Sequence, residues 1–216
     1  MRTRLIFVRH GESVHQVDGI VGGPHGCRGL TPLGHDQAHR LAQRLVDDYA
    51  VEGPLAVYSS VLRRTVETAQ PIAAAFGVRP LADCGLCTWH TPPYADGLPV
   101  TRFRTEHAVP GGGVFRPFED GNESWAELVV RVSRAIMEIA HRHRGGTVVL
   151  VGHSETVEGA FHALAAQPIF RAFDLDVPPA SITEWVTDQD TGGWPPARWT
   201  LRRFGDTAPA GQSVIQ

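Results

Sequence analysis

The sequence predicts an α/β fold, namely a three-layer α/β/α sandwich around a mostly parallel central sheet. Three short apolar runs, at residues 4–8, 55–58 and 147–151, have the length and composition of buried strands. Helical patterns lie between them, and this alternation is typical of a parallel sheet with helices on both faces. The 216 residues are enough for one such domain.

The remaining elements follow from capping and turn signals. Thr31 as N-cap and Pro32 at the first helical position predict a helix that runs to Tyr49. Three more helical patterns cover residues 61–76, 123–143 and 156–165. Strands at 181–187 and 198–204, joined by a turn at 188–193, predict a hairpin near the C-terminus. The open edge of such a hairpin would suit a homodimer.

One domain is expected at residues 1–205, followed by a flexible tail at 206–216 that is polar and carries Pro and Gly. A long excursion at residues 86–120 interrupts the strand–helix alternation and is rich in Pro, Gly and aromatic residues. Segments of this length inside a domain usually cover or form a binding site. We therefore expect the excursion to cap the functional site.

Composition excludes several classes of function. A net charge of −3 argues against a nucleic-acid partner. All 20 basic residues are Arg, so mechanisms that need a lysine, including Schiff bases and the P-loop, are excluded. The apolar runs are too short for a signal peptide or a membrane span, which predicts a cytoplasmic protein with no membrane partner.

The chain has three cysteines, and Cys84 and Cys87 form a C-x-x-C pair. Such a pair can be redox-active or can supply half of a zinc site. No second cysteine pair exists in the sequence, so we interpret these residues as structural thiols. No metal and no other cofactor is expected.

Three of the predicted strands end at residues suited to binding a phosphate group. Arg9 and His10 follow the first strand, Ser59 and Arg63 the second, and His153 the third. Functional residues of open α/β sheets collect beyond the carboxyl ends of the strands. We therefore expect these side chains to meet in space.

Four segments in order resemble the histidine phosphatase (phosphoglycerate mutase-like) superfamily. Residues 9–13 (R-H-G-E-S) are similar to its R-H-G-E-[ST] signature, and residues 29–38 to its L-T-x-x-G-x-x-Q-A segment. Residues 58–69 are similar to S-S-x-L-x-R-[AT]-x-E-T-A, and residues 151–153 to the second histidine motif. The resemblance spans most of the chain and implies a phosphoglycerate mutase-like fold.

The resemblance also implies roles for individual residues. His10 is the expected nucleophile, forming a phosphohistidine that water then hydrolyses without a metal. Arg9 and Arg63 would bind the phosphate, because a guanidinium can donate two parallel hydrogen bonds to its oxygens. His153 would donate to a third oxygen. Gln16 stands where the family often has a phosphate-contacting Asn.

This sequence departs from the family at the general acid. Residues 86–89 (L-C-T-W) look like the Leu-x-Glu-Trp of the ecdysteroid-phosphate and T-cell receptor signalling suppressor phosphatases, with Thr88 in place of Glu. Threonine cannot serve as an acid near neutral pH. The candidates to replace it are Glu155, which we favour, His90, Asp83 and Asp96.

The sequence therefore predicts an enzyme that hydrolyses a small-molecule phosphomonoester. Two alternatives remain open: a protein that binds an anionic ligand without hydrolysing it, and an enzyme that uses the same pocket for other chemistry. A phosphoglycerate-type mutase is less favoured, since no segment that would hold a bisphosphate is recognisable.

Overall fold

A six-stranded sheet forms the centre of the computed structural model, which describes residues 2–49, 51, 53–171 and 173–207. The strands are β1 (Thr3–Arg9), β2 (Ala56–Ser59), β3 (Pro80–Ala82), β4 (Thr147–Gly152), β5 (Ile182–Thr187) and β6 (Thr200–Asp206). Their order is β3-β2-β4-β1-β5-β6. The neighbouring strands among β3, β2, β4 and β1 are parallel, whereas β5 is antiparallel to both β1 and β6. The predicted fold class is confirmed, with the antiparallel part confined to the two C-terminal strands.

Helices cover both faces of this sheet. They are α1 (Val14–Val17), α2 (Pro32–Tyr49), α3 (Arg63–Ala75), α4 (Val100–Glu106), α5 (Trp125–Arg142) and α6 (Ser154–Ala165). Helices α2 and α3 pack on Ile6, Val8 and their neighbours, and α5 and α6 pack on Leu5 and Phe7. Successive side chains of a strand point to opposite faces, so β1 contributes to both halves of the core.

The capping signals explain where the main helices begin. The Thr31 side chain accepts a hydrogen bond from the backbone N–H of Gly34 over 3.1 Å, which confirms the predicted start of α2. Helix α5 begins at Trp125 rather than at residue 123 because Ser124 and Glu127 form a capping box there. Helices α1 and α4 and strand β3 were not predicted; each is too short to show a hydrophobic period.

The excursion at residues 86–120 is folded, and its backbone is bonded to the segment that follows α1. It contains α4 and a 3₁₀ turn at Pro93–Ala95. The N–H of Val21 donates to the carbonyl of Leu98 over 2.8 Å, and the N–H of Val100 donates to Gly19 over 2.9 Å. These bonds fix the excursion beside the first motif.

The C-terminal boundary differs from the prediction. Strand β6 extends through Asp206, whose backbone carbonyl and carboxylate both accept hydrogen bonds from Arg44 of α2. Asp206 therefore belongs to the domain, and residues 208–216 of the predicted tail lie outside the described residues. The connection between β5 and β6 covers residues 188–199, longer than the predicted turn.

Strand β6 lies at one edge of the sheet, as the predicted hairpin requires, and dimerisation through it stays a prediction. Among the helices that the structure describes, none combines the length and the apolar character needed to cross a lipid bilayer.

Candidate active site

Strands β1 and β4 bring two histidines together at the carboxyl edge of the sheet. His10 follows β1 and His153 follows β4, and their ring centroids are 5.2 Å apart. The two residues are 3% and 2% exposed. The predicted convergence of these strand ends is therefore present in the fold.

Arg64 lies between the two histidine rings. Its Nε is 3.2 Å from Nε2 of His10, and one of its terminal nitrogens is 3.2 Å from Nδ1 of His153. The other terminal nitrogen donates to the Gly22 carbonyl over 2.9 Å. Only 2% of Arg64 is exposed, so this cation is buried against both rings.

The structure does not bring Arg63 to this site, contrary to the prediction. The Arg63 side chain is 67% exposed and forms an ion pair with Glu67 over 2.6 Å. Neighbouring positions on a helix point about 100° apart, so only one of two adjacent arginines can face the histidines. The motif S-S-x-L-x-R places its arginine two residues after Leu62, which is Arg64, so the spacing contained the correct residue.

The hydrogen bonds define the protonation state of both rings. An arginine can only donate, so Nε2 of His10 and Nδ1 of His153 must be acceptors. Nδ1 of His10 then carries the proton and donates to the Gly11 carbonyl over 2.7 Å. Nε2 of His153 donates to the Ser60 hydroxyl over 2.9 Å. Both rings are neutral, and each presents a lone pair to Arg64.

Electrostatics favour the same neutral state. Burial, followed by the positive charge of Arg64, lowers the pKa of His10 and that of His153 well below the usual value. The cluster includes a third ring, His15, whose centroid is 6.3 Å from that of His10. Burial and Arg64 lower the pKa of His15 to about 3. Three uncharged imidazoles therefore lie beside a buried cation.

His15 takes the position that was expected for Gln16. Gln16 is exposed, and its side-chain oxygen accepts from the Ser13 hydroxyl over 2.8 Å. His15 instead lines the cavity described below. No sequence signal pointed to His15, because the direction of each side chain depends on where the short helix α1 begins.

Arg9 adds a second cation at the same edge. Its guanidinium donates to the Val177 carbonyl, while its Nε is buried without a hydrogen-bond partner in the part of the chain that the structure describes. Burial lowers the pKa of Arg9, and the carboxylates of Glu155 and Asp176 partly oppose this shift. A buried, unsatisfied donor on a cation is suited to an anionic ligand.

The loop that carries His10 is packed against the start of α2. A Cβ atom at Gly34 would lie 2.0 Å from the Glu12 carbonyl oxygen, and one at Gly11 would lie 2.6 Å from the Gly34 carbonyl oxygen. The Thr31 hydroxyl donates to the Glu12 carboxylate over 2.7 Å. The segments at residues 9–13 and 29–38, two of the four that resemble family motifs, are therefore in direct contact.

A cavity of about 670 Å³ opens in front of Arg64. Its wall combines aromatic, apolar and charged side chains, and half of it comes from the excursion: Trp89, Thr91, Val100, Phe103, Arg104, Phe118 and Glu119 together with Thr88. His15, Glu155 and Arg171 line the opposite parts. The excursion thus covers the site, as expected.

Of the four residues considered as replacements for the missing acid, Glu155 lines this cavity. Asp83 caps a 3₁₀ turn by accepting from the N–H of Gly85. Asp96 accepts from the backbone N–H groups of His25 and Gly26. Nε2 of His90 contacts Cys84. Among these four residues, only the favoured candidate therefore lines the cavity in front of Arg64.

The fold and the histidine pair define a phosphoglycerate mutase-like α/β protein. The family model of the histidine phosphatase superfamily (branch 1) matches residues 5–202. The chain belongs to this superfamily.

Known relatives include both mutase-like and phosphatase proteins. The chain is 28% identical to phosphoglycerate mutase-like protein 4 of Arabidopsis thaliana, over 94% of this chain and 85% of the relative. It is 27% identical to a metal-independent phosphoserine phosphatase of the same plant, over 74% and 67% of the two chains. A mycobacterial glucosyl-3-phosphoglycerate phosphatase, solved in complex with VO3, shares the fold with a TM-score of 0.75 at 24% identity, covering 93% and 98% of the two chains.

Proposed function

We propose that this protein is a phosphatase that hydrolyses a small-molecule phosphomonoester through a phosphohistidine at His10. The observation that carries the proposal is the position of Arg64, which donates to His10 and His153 together. A guanidinium buried between two neutral rings is suited to hold the phosphoryl group of a substrate at the nucleophile. Arg9, with its unsatisfied Nε, supports the same conclusion.

In the first step, Nε2 of His10 attacks phosphorus and the ester oxygen leaves. The ring has its lone pair on Nε2 and its other nitrogen bonded to the Gly11 carbonyl, so the nucleophile is already oriented. Arg64 must then exchange its bond to the ring for bonds to the phosphate oxygens. Nδ1 of His153 carries a lone pair in this state. To donate to the phosphate, the ring must move its proton from Nε2 to Nδ1, and the Ser60 hydroxyl can then donate to Nε2.

Glu155 is the proposed general acid and base. It lines the cavity one residue beyond the start of α6, and its carboxylate lies near enough to Arg9 to influence that residue's pKa. In the acid form it would protonate the leaving oxygen, and as a carboxylate it would activate the water that hydrolyses phosphohistidine. The step consumes one water and returns His10 to the neutral state.

The cavity wall favours a substrate with an organic group beyond the phosphate. Trp89, Phe103 and Phe118 supply flat apolar surface. Arg104 and Arg171 line the same cavity and add positive charge to that of Arg64. A carboxylate-bearing phosphate ester would satisfy both features. Two of the similar proteins are named for substrates of that kind, phosphoserine and glucosyl-3-phosphoglycerate.

A mutase is the second candidate, supported by the likeness to phosphoglycerate mutase-like protein 4. It would share His10 as the phosphate acceptor but would return the phosphate to the product instead of to water. Dependence on a bisphosphate primer distinguishes the two reactions.

The test is turnover of p-nitrophenyl phosphate and of phosphoserine, comparing the wild type with His10→Ala. We expect phosphate release that the substitution abolishes, together with acid-labile incorporation of phosphate into the wild type. Release of phosphate by His10→Ala at the wild-type rate would contradict the proposal. If the folded wild type binds vanadate but hydrolyses neither ester, the protein is a binder or uses the pocket for other chemistry.

A further inference from the structure

Three soft metal ligands lie together beside the catalytic cavity, outside the histidine cluster. The Sγ atoms of Cys84 and Cys87 are 3.7 Å apart, and Sγ of Cys84 is 3.4 Å from Nε2 of His90. All three atoms lie within 4.8 Å of one another. Cys84 and His90 are exposed, and Cys87 is buried.

These separations are those of a tetrahedral zinc site. With Zn–S bonds of about 2.3 Å and Zn–N bonds of about 2.0–2.1 Å, tetrahedral angles place two sulfurs about 3.8 Å apart and a sulfur and a nitrogen about 3.6 Å apart. Both measured distances agree within a few tenths of an ångström. The ligands therefore need little movement to bind an ion.

Helix α5 holds the backbone that carries these ligands. The Arg131 guanidinium donates to the carbonyls of Cys84 and Cys87 over 3.3 and 3.0 Å, and to that of Thr88 over 3.0 Å. Arg131 is paired with Glu123 over 2.7 Å, and Glu123 accepts from the backbone N–H of His90 over 3.2 Å. One ion pair thus fixes the segments on both sides of the site.

We propose that Cys84, Cys87 and His90 bind one Zn²⁺ ion, with a water molecule as the fourth ligand. Each thiol gives up its proton to the solvent when it ligates the metal, so two protons are released per ion bound. This proposal revises the interpretation of the cysteines as structural thiols and the expectation of no metal. It leaves the phosphoryl-transfer chemistry to the histidines and arginines.

The site has a consequence for the cavity. Thr88 and Trp89 lie in the chain between the second and third ligands, and both line the cavity. A bound ion would therefore fix the wall of the cavity at the position where relatives carry their general acid.

The test is titration of the reduced, metal-free protein with Co²⁺, followed by displacement with Zn²⁺. Cobalt gives a thiolate charge-transfer band and the visible spectrum of a tetrahedral complex. We expect one equivalent for the wild type and for the control Cys27→Ser, which removes the cysteine outside the site. Cys84→Ser and His90→Ala should weaken binding by more than the roughly 10–100-fold that loss of a mere supporting residue costs.

Both substitutions change exposed side chains and should leave the core intact. Circular dichroism can check that both variants are folded. Tetrahedral cobalt binding that survives in Cys84→Ser would overturn the proposal. So would the absence of the thiolate charge-transfer band when the reduced, folded wild type is titrated with Co²⁺. Neither result depends on turnover, so failure of the phosphatase proposal would be seen separately.

Discussion

Arg64 donates a hydrogen bond to His10 and another to His153, and each of these bonds is 3.2 Å long. The relationship explains why both rings stay neutral in a buried site and why the phosphate must compete with them for the guanidinium. It also distinguishes Arg64, which contacts the histidines, from its neighbour Arg63, which forms an exposed ion pair.

Replacing Arg64 and Arg63 by Lys in turn should therefore give very different results. Arg64→Lys keeps the charge but loses the fork, and we expect turnover of p-nitrophenyl phosphate to fall by about 10²–10³. Arg63→Lys changes an exposed ion pair and should leave turnover close to that of the wild type. Equal losses in the two variants would contradict the assignment.

Glu155→Gln should lower turnover by about 10²–10⁴, the usual contribution of a positioned general acid or base. If Glu155 also activates water, the variant should accumulate phosphohistidine, seen as a burst in product release. Glu138→Gln, on the exposed surface of α5, is the matched control. Unchanged turnover in Glu155→Gln would mean that another residue is the general acid.

The lowered pKa values of His10 and His153 predict a dependence of stability on pH. The native state keeps both rings neutral, whereas the unfolded chain binds protons below about pH 6.5. Stability is therefore fully present above that pH and falls as the pH decreases. The slope should reach about 1.4 kcal/mol per pH unit for each histidine.

Urea unfolding between pH 5 and 8 measures this slope. The His10→Asn variant removes one of the three histidines of this cluster whose pKa is lowered, the third being His15. Its free energy of unfolding should therefore fall less steeply with decreasing pH than that of the wild type. A wild-type stability that is constant across this range would show that the rings take up protons in the native state.

Substitution of Gly34 should affect both stability and turnover. A methyl group there would meet the Glu12 carbonyl at 2.0 Å, and we expect a loss of about 1–3 kcal/mol from overpacking. Gly113→Ala is the control, since its methyl group would enter open space. Thermal unfolding and turnover measured on both variants check the prediction, and equal behaviour of the two would contradict it.

Arg104→Gln tests the proposed preference for carboxylate-bearing esters. Arg104 lies in the last turn of α4 and lines the cavity. We expect KM for phosphoserine to rise while KM for p-nitrophenyl phosphate, which has no carboxylate, changes little. A parallel rise for both esters would indicate a general electrostatic effect instead.

Much of the fold could be predicted because its signals are local. The runs at β1, β2 and β4 are continuous apolar segments, and α2 carries a Thr-Pro start, so these elements follow from burial and capping. The excursion was predicted as a covering segment, but α4 within it has too few residues to show a helical period.

The site was predictable to the level of residue types and motif order. His10 and His153 follow from the strand ends, whereas the direction of Arg64, Arg63, His15 and Gln16 depends on where α1 and α3 begin. A shift of one residue in a helix start rotates every side chain by about 100°. The motif spacing already contained Arg64, whereas no such spacing distinguished His15 from Gln16. The position of His90 beside Cys84 was likewise not predicted, because it depends on the irregular backbone of residues 87–90.

The contact between Gly11 and Gly34 gives helix α2 a part in setting the tautomer of His10. The carbonyl that accepts the proton of His10 belongs to Gly11, and the backbone of Gly34 limits where that carbonyl can be. Helix α2 therefore positions the loop that carries His10 in two ways: through the backbone of Gly34, and through the Gln37 side-chain oxygen, which accepts from the N–H of Glu12 over 2.8 Å. Gly11 and Gly34, 23 positions apart in the sequence, are held close together, so a displacement of one backbone would displace the other.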